Sequence, residues 1–205
     1  LMAEVAKSIE DRDFDILDIN MGCPVPKVVN NGEGSALLKN PNLIEEIVRK
    51  VSSAISKPLT VKVRIGFENE PVDIVEIAKR IEDAGAAALA VHGRTRQQYY
   101  SGTADWDTIR RVKEAITIPV IGNGDVDSPL KAEALVKQTG CDAVMVGRAV
   151  RGNPWLFREL NHYFRTGELL ERPSVEEIRE MILRHARKQI ELKGEFVGIR
   201  EMRKH

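Results

Sequence analysis

The sequence has few of the features that mark secreted, membrane-spanning or metal-binding proteins. Its only two cysteines, Cys23 and Cys141, form neither a metal-ligand spacing nor a disulfide framework, and they indicate a reducing compartment. No apolar run reaches the roughly 18 residues needed to cross a bilayer, and no signal-peptide pattern is present. We therefore expect a cytoplasmic protein with no metal and no membrane partner.

The chain also has no excess charge of either sign. Its formal net charge is +0, so a nucleic-acid partner would have to be held by a local basic patch, because the average field attracts nothing. The 205 residues, 42% hydrophobic and 30% charged, argue against disorder. They suit one medium domain, or a domain with a small appendage.

Five short runs rich in Val, Ile, Leu and Ala alternate with amphipathic helical stretches. We interpret the runs as buried parallel strands, at residues 15–20, 59–65, 87–92, 118–123 and 142–147. Helix starts are indicated by Asn40-Pro41 and Asp127-Ser128-Pro129, and helix ends by Gly85 and Gly140. The alternation predicts an α/β fold made of repeated βα units.

Polar or glycine-bearing clusters follow the carboxyl end of every predicted strand: 20–24, Lys62 with Arg64, 92–96, 123–125 and 147–148. An open doubly wound sheet would also fit the alternation. In a (β/α)8 barrel, however, these strand ends converge on one mouth, where active sites lie. We predict a (β/α)8 TIM barrel whose strands four to eight are present. We also expect truncation at both termini, since the chain starts and stops within helical patterns.

Beyond Arg151 the strands give way to helices. Asn153-Pro154 is predicted to cap a helix that reaches Arg165, and Gly167 to form a turn. A capping box at residues 174–177 then begins a long helical stretch. From Arg179 onward there are eight Lys or Arg against four Glu, and a solvated helix face is the alternative to a binding surface. We predict a barrel domain at 1–166, a linker at 167–173 and the start of a helical domain at 174–205.

Barrel geometry separates the two cysteines. Cys23 lies in the loop after the first predicted strand, at the mouth, whereas Cys141 precedes the last strand, at the opposite face. We expect Cys141 to be a small buried apolar residue. Gly22 and Pro24 shape a tight loop that presents Cys23, and an ordinary thiol, mostly protonated at neutral pH, can act as a general acid.

The last two predicted strands are followed by glycine-bearing loops where barrels commonly bind phosphate. Asn123, Gly124 and Asp125 follow one strand, and Gly147 and Arg148 follow the other. Each glycine alone is often just a turn, but the two loops together favour an anion site. The anion is a sugar phosphate or flavin mononucleotide (FMN).

Two ionisable residues lie on the predicted strands, and Lys62 is predicted to point into the barrel. Lys62 lies between apolar neighbours, and a buried ammonium needs an anionic partner, which reduced flavin or an internal carboxylate can supply. His92 ends the third predicted strand. We interpret it as a functional residue at the mouth, with a hydrogen-bonded core imidazole as the alternative.

The successive motifs resemble those of tRNA-dihydrouridine synthases, in particular the bacterial B-type enzymes. They are Asp18-Ile-Asn-Met-Gly-Cys-Pro24, Val61-Lys-Val-Arg-Ile-Gly66, Val91-His-Gly-Arg-Thr-Arg96, Ile121-Gly-Asn-Gly-Asp125 and Val146-Gly-Arg148. Residues 199–205 are similar to the start of that family's C-terminal helical RNA-binding segment. The resemblance implies FMN-dependent reduction of uridine to 5,6-dihydrouridine in tRNA, with NADPH as electron donor.

The resemblance also implies roles for individual residues. Cys23 would donate the proton to uracil C5, and Asn20 would hydrogen-bond the base. FMN would be held by Lys62, His92, Asn123, Gly124, Asp125, Gly147 and Arg148. RNA contacts are expected on mouth loops, at Arg94 and Arg96 and at Lys27, Tyr99 and Tyr100.

The family usually has three further strands upstream, with an Ala-Pro-Met-type flavin loop and a glutamine at the ring, and these motifs are absent here. Two other functions remain open from the sequence. One is an FMN-dependent dihydroorotate or dihydropyrimidine dehydrogenase, which would bind free bases and lack the basic tail. The other is a non-catalytic RNA-binding or phosphate-binding barrel, which the mouth residues disfavour.

Overall fold

The computed structural model describes residues 1–68 and 72–203, and it contains a parallel sheet. Its strands, in the order β1-β2-β3-β4-β5, are β1 Leu17–Asn20, β2 Leu59–Gly66, β3 Ala88–Thr95, β4 Val120–Asn123 and β5 Ala143–Met145. Every neighbouring pair is parallel, and the chain visits the strands in sequence order. The predicted α/β class and all five predicted strands are confirmed, with shorter β1, β4 and β5.

Helices connect the strands and follow the last one. They are α1 Met2–Ile9, α2 Pro26–Val29, α3 Pro41–Ser52, α4 Ile74–Asp83, α5 Trp106–Ala115, α6 Pro129–Thr139, α7 Leu156–Thr166, α8 Val175–Lys193 and α9 Glu195–Met202. Short 3-10 helices cover Gly34–Lys39 and Arg148–Val150. None of those in the described residues is both long and apolar enough to cross a membrane.

Most of the predicted helix boundaries are confirmed by their capping contacts. The Asn40 side chain accepts a hydrogen bond from Leu43 N at the start of α3, and Ser174 forms a reciprocal capping box with Glu177 at the start of α8. The predicted cap at Asn153-Pro154 is wrong, because the Asn153 carbonyl accepts from Leu156 N in a preceding turn and α7 begins only at Leu156. Lys204 and His205, part of the predicted basic tail, lie outside the described residues.

The two faces of the sheet differ because strand side chains alternate. One face carries Leu59, Val61, Val63, Leu89, Val91 and Val120, which are all buried. Apolar side chains of α3, α4 and α5, such as Ile44, Ile77 and Ile109, are buried with them and form the core. The other face carries polar side chains at the carboxyl ends of the strands, where register places Asn20 beside Lys62, Arg64 beside His92 and His92 beside Asn123.

The chain divides into two compact units. The first comprises residues 1–126 and 130–146 and contains the sheet. The second comprises residues 127–129 and those from 147 onward, and its secondary structure after 147 is helical. In the second unit α9 packs against α8 at Gly198, where a Cβ would lie 2.9 Å from the Gln189 backbone.

Candidate active site at the carboxyl ends of the strands

A cluster of polar side chains occupies the carboxyl ends of adjacent strands in the first unit. Lys62 and Arg64 come from β2, His92 and Arg94 from β3, and Asn123 ends β4. We call this set the strand-end cluster. Parallel register brings these positions together, as the sequence predicts.

Positive charge dominates the electrostatics of the strand-end cluster. Burial, reinforced by repulsion from Arg64, lowers the pKa of Lys62 to about 8, and the nearby Asp18 carboxylate acts in the opposite direction. Burial and then the charges of Arg64, Lys62 and Arg94 lower the pKa of His92 to about 3. His92 is therefore a neutral imidazole at physiological pH, and the site as a whole favours an anion.

Cys23 lies in the loop that follows β1, partly exposed, as predicted for a mouth residue. Its carbonyl accepts from Ser35 N at 3.0 Å and from Ser35 Oγ at 2.9 Å. Asn20 is exposed at the end of β1, and its Oδ1 accepts from Gly22 N at 3.0 Å. Cys141, in contrast, is buried, as expected for an apolar packing residue.

Arg94 is buried, with 1% exposure, and its guanidinium braces a loop. Nε donates to Ser101 O, Nη2 to Gly102 O, and Nη2 also pairs with the Asp125 carboxylate. This enclosed group has a structural role in the loop, and the predicted RNA contact at Arg94 stays a prediction. The sequence pattern predicted a polar residue at this strand end. It did not predict that the Arg94 side chain turns inward.

The loop after β4 is held by contacts of its own. Asn123 Nδ2 donates to Met145 O at 2.8 Å, and Asp125 Oδ2 accepts from Ala104 N at 2.7 Å. Gly124 has φ +133, and a Cβ there would lie 2.6 Å from Ala104 Cβ and 3.3 Å from His92 Cδ2. Asn123 and Asp125 therefore shape this loop, while their predicted contacts with FMN stay predictions.

Gly147 and Arg148 belong to the second unit, where Gly147 precedes the short helix Arg148–Val150. A Cβ on Gly147 would meet no protein atom within 4 Å. The fold itself therefore does not require glycine there, whereas the close approach of a ligand would. Both residues are exposed, and their predicted role at a phosphate is untested by this geometry.

The remaining predicted RNA contacts lie on loops and a short helix. Arg96 is half-buried with its guanidinium 5.3 Å from the Phe67 ring centroid, and Lys39 Nζ lies 4.0 Å from the same ring. Lys27 is exposed on α2. Tyr100 is exposed, and its ring centroid is 6.3 Å from that of His92, so it borders the strand-end cluster.

Two residues to which the sequence analysis assigned no specific role contribute to the site. Arg64 is buried and donates to three backbone carbonyls, and Ser35 is buried against Cys23. The buried position of Arg64 near Lys62 was visible in the strand pattern, but the carbonyls that it reaches come from the loop after β1, the end of β3 and the loop after β3. No local signal identifies Ser35, because its partner lies twelve residues away.

Together these features define an α/β protein with a cation-rich site at the carboxyl ends of its strands, beside a loop cysteine. A family model described as dihydrouridine synthase (Dus) matches residues 1–205, and the chain belongs to that family. The resemblance seen in the sequence motifs is thereby confirmed.

Relatives within the family are similar over the whole of this chain. It is 48% identical over 205 residues to tRNA-dihydrouridine synthase B of Shewanella oneidensis and 45% identical over 205 residues to the protein of that name in Pseudomonas putida. Both alignments cover 100% of this chain but 64% and 61% of the respective relatives. The chain therefore spans somewhat less than two thirds of the length of these relatives.

A solved structure of a candidate phosphonomutase from Burkholderia cenocepacia aligns with a TM-score of 0.60 and 19% identity. The alignment covers 87% of this chain and 80% of that chain. At this identity the likeness shows a shared fold alone.

Proposed function

We propose that the full-length protein reduces uridine to 5,6-dihydrouridine in tRNA, with FMN as cofactor and NADPH as electron donor, in the cytoplasm. The observation that carries the proposal is the strand-end cluster, in which Lys62 and two arginines surround a neutral His92 next to the Cys23 loop. The family and the names of its relatives supply the tRNA uridine as substrate.

The residues present fit FMN. An anionic group relieves the electrostatic cost of the buried Lys62 ammonium, whose pKa is lowered to about 8 in its absence. The space around Gly147 permits backbone approach to a phosphate. When bound, FMN supplies the hydride for uracil C6, and NADPH replenishes it.

Individual side chains then have separate tasks. Lys62 stabilises negative charge at the edge of the flavin ring, and neutral His92 hydrogen-bonds the ring or the ribityl chain. Asn123, Gly124, Asp125, Gly147 and Arg148 form the loops for the ribityl phosphate end. A fixed protein charge near the ring is a recognised way to tune a cofactor's electronics.

Cys23 acts as the general acid of the reaction. Hydride addition at C6 leaves negative charge between C5 and O4 of the base, and a positioned thiol that donates a proton to C5 stabilises it. The Asn20 Oδ1 already accepts from Gly22 N, so its exposed side chain contacts the base through the amide NH₂. The base itself must leave its stack, which costs a few kcal/mol and less in an already unstacked loop.

Exposed basic residues in the helical tail after Ser174 supply affinity for tRNA through its phosphates. Arg184, Arg187 and Lys188 lie within one turn of α8 and are exposed. Arg96, Lys27, Tyr99 and Tyr100 add contacts near the site. In this proposal residues 1–166 belong to a (β/α)8 barrel, 167–173 link the domains, and 174–205 begin an RNA-binding domain.

The test uses full-length protein purified under native conditions. We expect a yellow protein with one FMN, which NADPH bleaches and unmodified tRNA reoxidises while dihydrouridine forms. A Lys62→Ala variant should retain less flavin or be reduced more slowly. Colourless protein that binds no added FMN would contradict the cofactor, and flavin that tRNA fails to reoxidise would contradict the substrate.

A further inference from the structure

The loop that carries Cys23 is held from two sides by buried side chains. On one side, Ser35 donates to the Cys23 carbonyl from both its N and its Oγ. On the other side, Arg64 Nε donates to the Gly22 carbonyl at 3.0 Å. The peptide groups on either side of the Cys23 Cα are therefore both fixed.

Arg64 extends this arrangement to a second loop. Its Nη1 donates to Thr95 O and to Tyr99 O, both at 2.9 Å. Tyr99 has φ 52, a left-handed conformation that is uncommon for a residue other than glycine, and its carbonyl is one of those that Arg64 holds. The following residue, Tyr100, has its ring 5.7 Å from the Arg64 guanidinium and 6.3 Å from the His92 ring.

Only arginine can make this set of contacts. The planar guanidinium presents donors in fixed, diverging directions, so one side chain reaches carbonyls of two loops at once. A lysine ammonium is a single point from which the same span is not possible. Arg64 is 2% exposed, and its Nε and Nη1 both donate to backbone carbonyls.

We propose that Arg64 is a positioning residue for the proton donor: it locks the Cys23 loop to the segment that runs from Thr95, the last residue of β3, to Tyr99, and so fixes the thiol relative to the strand-end cluster. The inference rests on the proposed function of Cys23. Arg64 does not touch the reacting atoms in this role, and its contribution to the chemistry passes through Cys23. Misplacement of a reacting group by about 1 Å can cost on the order of 10²-fold in rate.

A double-mutant cycle tests this dependence in full-length, FMN-loaded enzyme. The variants are Arg64→Lys, Cys23→Ala and the two combined, and the measurement is reoxidation of the NADPH-reduced enzyme by unmodified tRNA in a single turnover. We expect Arg64→Lys to slow reoxidation by about 10- to 100-fold. In the Cys23→Ala background the same change should slow it no further, because the group that Arg64 positions is gone.

Other measurements separate positioning from general damage to the fold. Flavin content, the rate of flavin reduction by NADPH and the KM for tRNA should stay near wild type in Arg64→Lys while kcat falls. Arg80→Lys, a matched change at a surface arginine that pairs with Glu45 and Glu76, should leave all rates unchanged. If Arg64→Lys does not fold, Arg64→Gln, which keeps a donor but loses the charge, enters the same cycle.

The outcomes distinguish this inference from the function on which it rests. Equal slowing by Arg64→Lys in both backgrounds, or no slowing at all, overturns the positioning role while leaving Cys23 as the acid. An unimpaired Cys23→Ala enzyme overturns the proposed role of Cys23, and the inference with it.

Discussion

The guanidinium of Arg94 is buried against the carboxylate of Asp125, with Nη2 2.6 Å from Oδ1 and 2.8 Å from Oδ2. The pair connects β3 to the loop after β4, and Asp125 Oδ2 also accepts from Ala104 N. Asp125 itself has φ 59, a left-handed conformation that aspartate tolerates better than most residues. The ion pair therefore organises the loop on which two predicted phosphate ligands, Asn123 and Gly124, lie.

Loss of this ion pair should destabilise the protein. Asp125→Ala leaves the Arg94 charge buried and removes the acceptor of Ala104 N, so we expect the free energy of unfolding to fall by about 3 kcal/mol. This is the low end of the usual range, since the Asp125 side chain is 24% exposed. Urea denaturation measures the change, and Glu114→Ala, which removes an exposed partner of Arg110, is the control with a loss below about 1 kcal/mol. Similar losses in the two variants would contradict a structural role for the pair.

The strand pattern and helix caps made much of the fold predictable. Runs of branched apolar residues identified every strand, and caps such as Asn40 and Ser174 identified helix starts, because both depend on neighbours in sequence. The start of α7 was predicted incorrectly, because an asparagine before a proline can either cap a helix or form a turn. Here Asn153 forms a turn, and α7 begins only at Leu156.

The site was predictable only at the level of strand ends. Parallel register guarantees that residues at successive strand ends are neighbours, which placed Arg64 beside His92 and His92 beside Asn123. The direction of a long side chain depends instead on the backbone carbonyls that other segments present to it. Arg64 and Arg94 both turn toward such carbonyls, and neither interaction has a sequence signature.

The Lys62 ammonium should strengthen flavin binding but lower the stability of the folded, flavin-free protein. Its folded pKa of about 8 lies below the ordinary 10.5, so the unfolded chain binds more protons between these values. The contribution of Lys62 to stability therefore rises with pH across that window, and its full penalty applies below about pH 8. Lys62→Met should raise the stability of the flavin-free protein at pH 7 and weaken FMN binding.

FMN affinity measured as a function of pH, and the stability of the flavin-free protein, check these expectations for Lys62. Wild-type FMN affinity should fall as pH rises past 8, because the protonated ammonium attracts the anion, and Lys62→Met should lose that pH dependence. Lys50→Met, at an exposed lysine paired with Glu46, should change neither flavin affinity nor its pH profile. A Lys62→Met protein that is less stable without flavin would contradict the electrostatic account.

Gly124 should not tolerate a side chain. Gly124→Ala introduces a Cβ 2.6 Å from Ala104 Cβ at φ +133, so the backbone and the neighbouring loop must both shift. Gly140→Ala provides the comparison, since φ there is also positive at +68 but the nearest atom is 4.0 Å away. We expect about 1 to 2 kcal/mol of destabilisation at Gly140 from backbone strain and about 1 to 3 kcal/mol more at Gly124 from overlap. Equal melting temperatures for the two variants would show that the loop yields to the added methyl group.

The basic face of α8 should account for part of the salt dependence of tRNA binding. Arg184 and Arg187 lie three residues apart and are exposed, so Arg184→Glu/Arg187→Glu should weaken tRNA binding. The salt slope should become shallower by about one unit for each phosphate that the variant no longer neutralises. Arg110→Glu/Arg111→Glu makes the same charge change on α5. A salt slope that falls equally in both double variants would show a non-specific effect of net charge.

Cys23 should be required for reduction of tRNA but not for reduction of flavin. Cys23→Ala removes the proton donor to C5, so reoxidation of pre-reduced enzyme by tRNA should fall by about 10² to 10⁴, while FMN content and NADPH oxidation stay near wild type. Serine should restore little, because a hydroxyl is a much weaker acid than a thiol.

The buried Cys141 supplies the matched control for this experiment. Its sulfur lies where a Cβ on Gly122 would approach to 2.9 Å, so Cys141→Ala alters packing behind β4 and leaves the strand-end cluster untouched. We expect Cys141→Ala to lower stability modestly and to reoxidise at the wild-type rate. A folded Cys141→Ala protein that fails chemically, or a Cys23→Ala protein that reoxidises normally, would show that the proton comes from another group. Single-turnover kinetics distinguish these cases because they isolate the tRNA half-reaction from the supply of electrons.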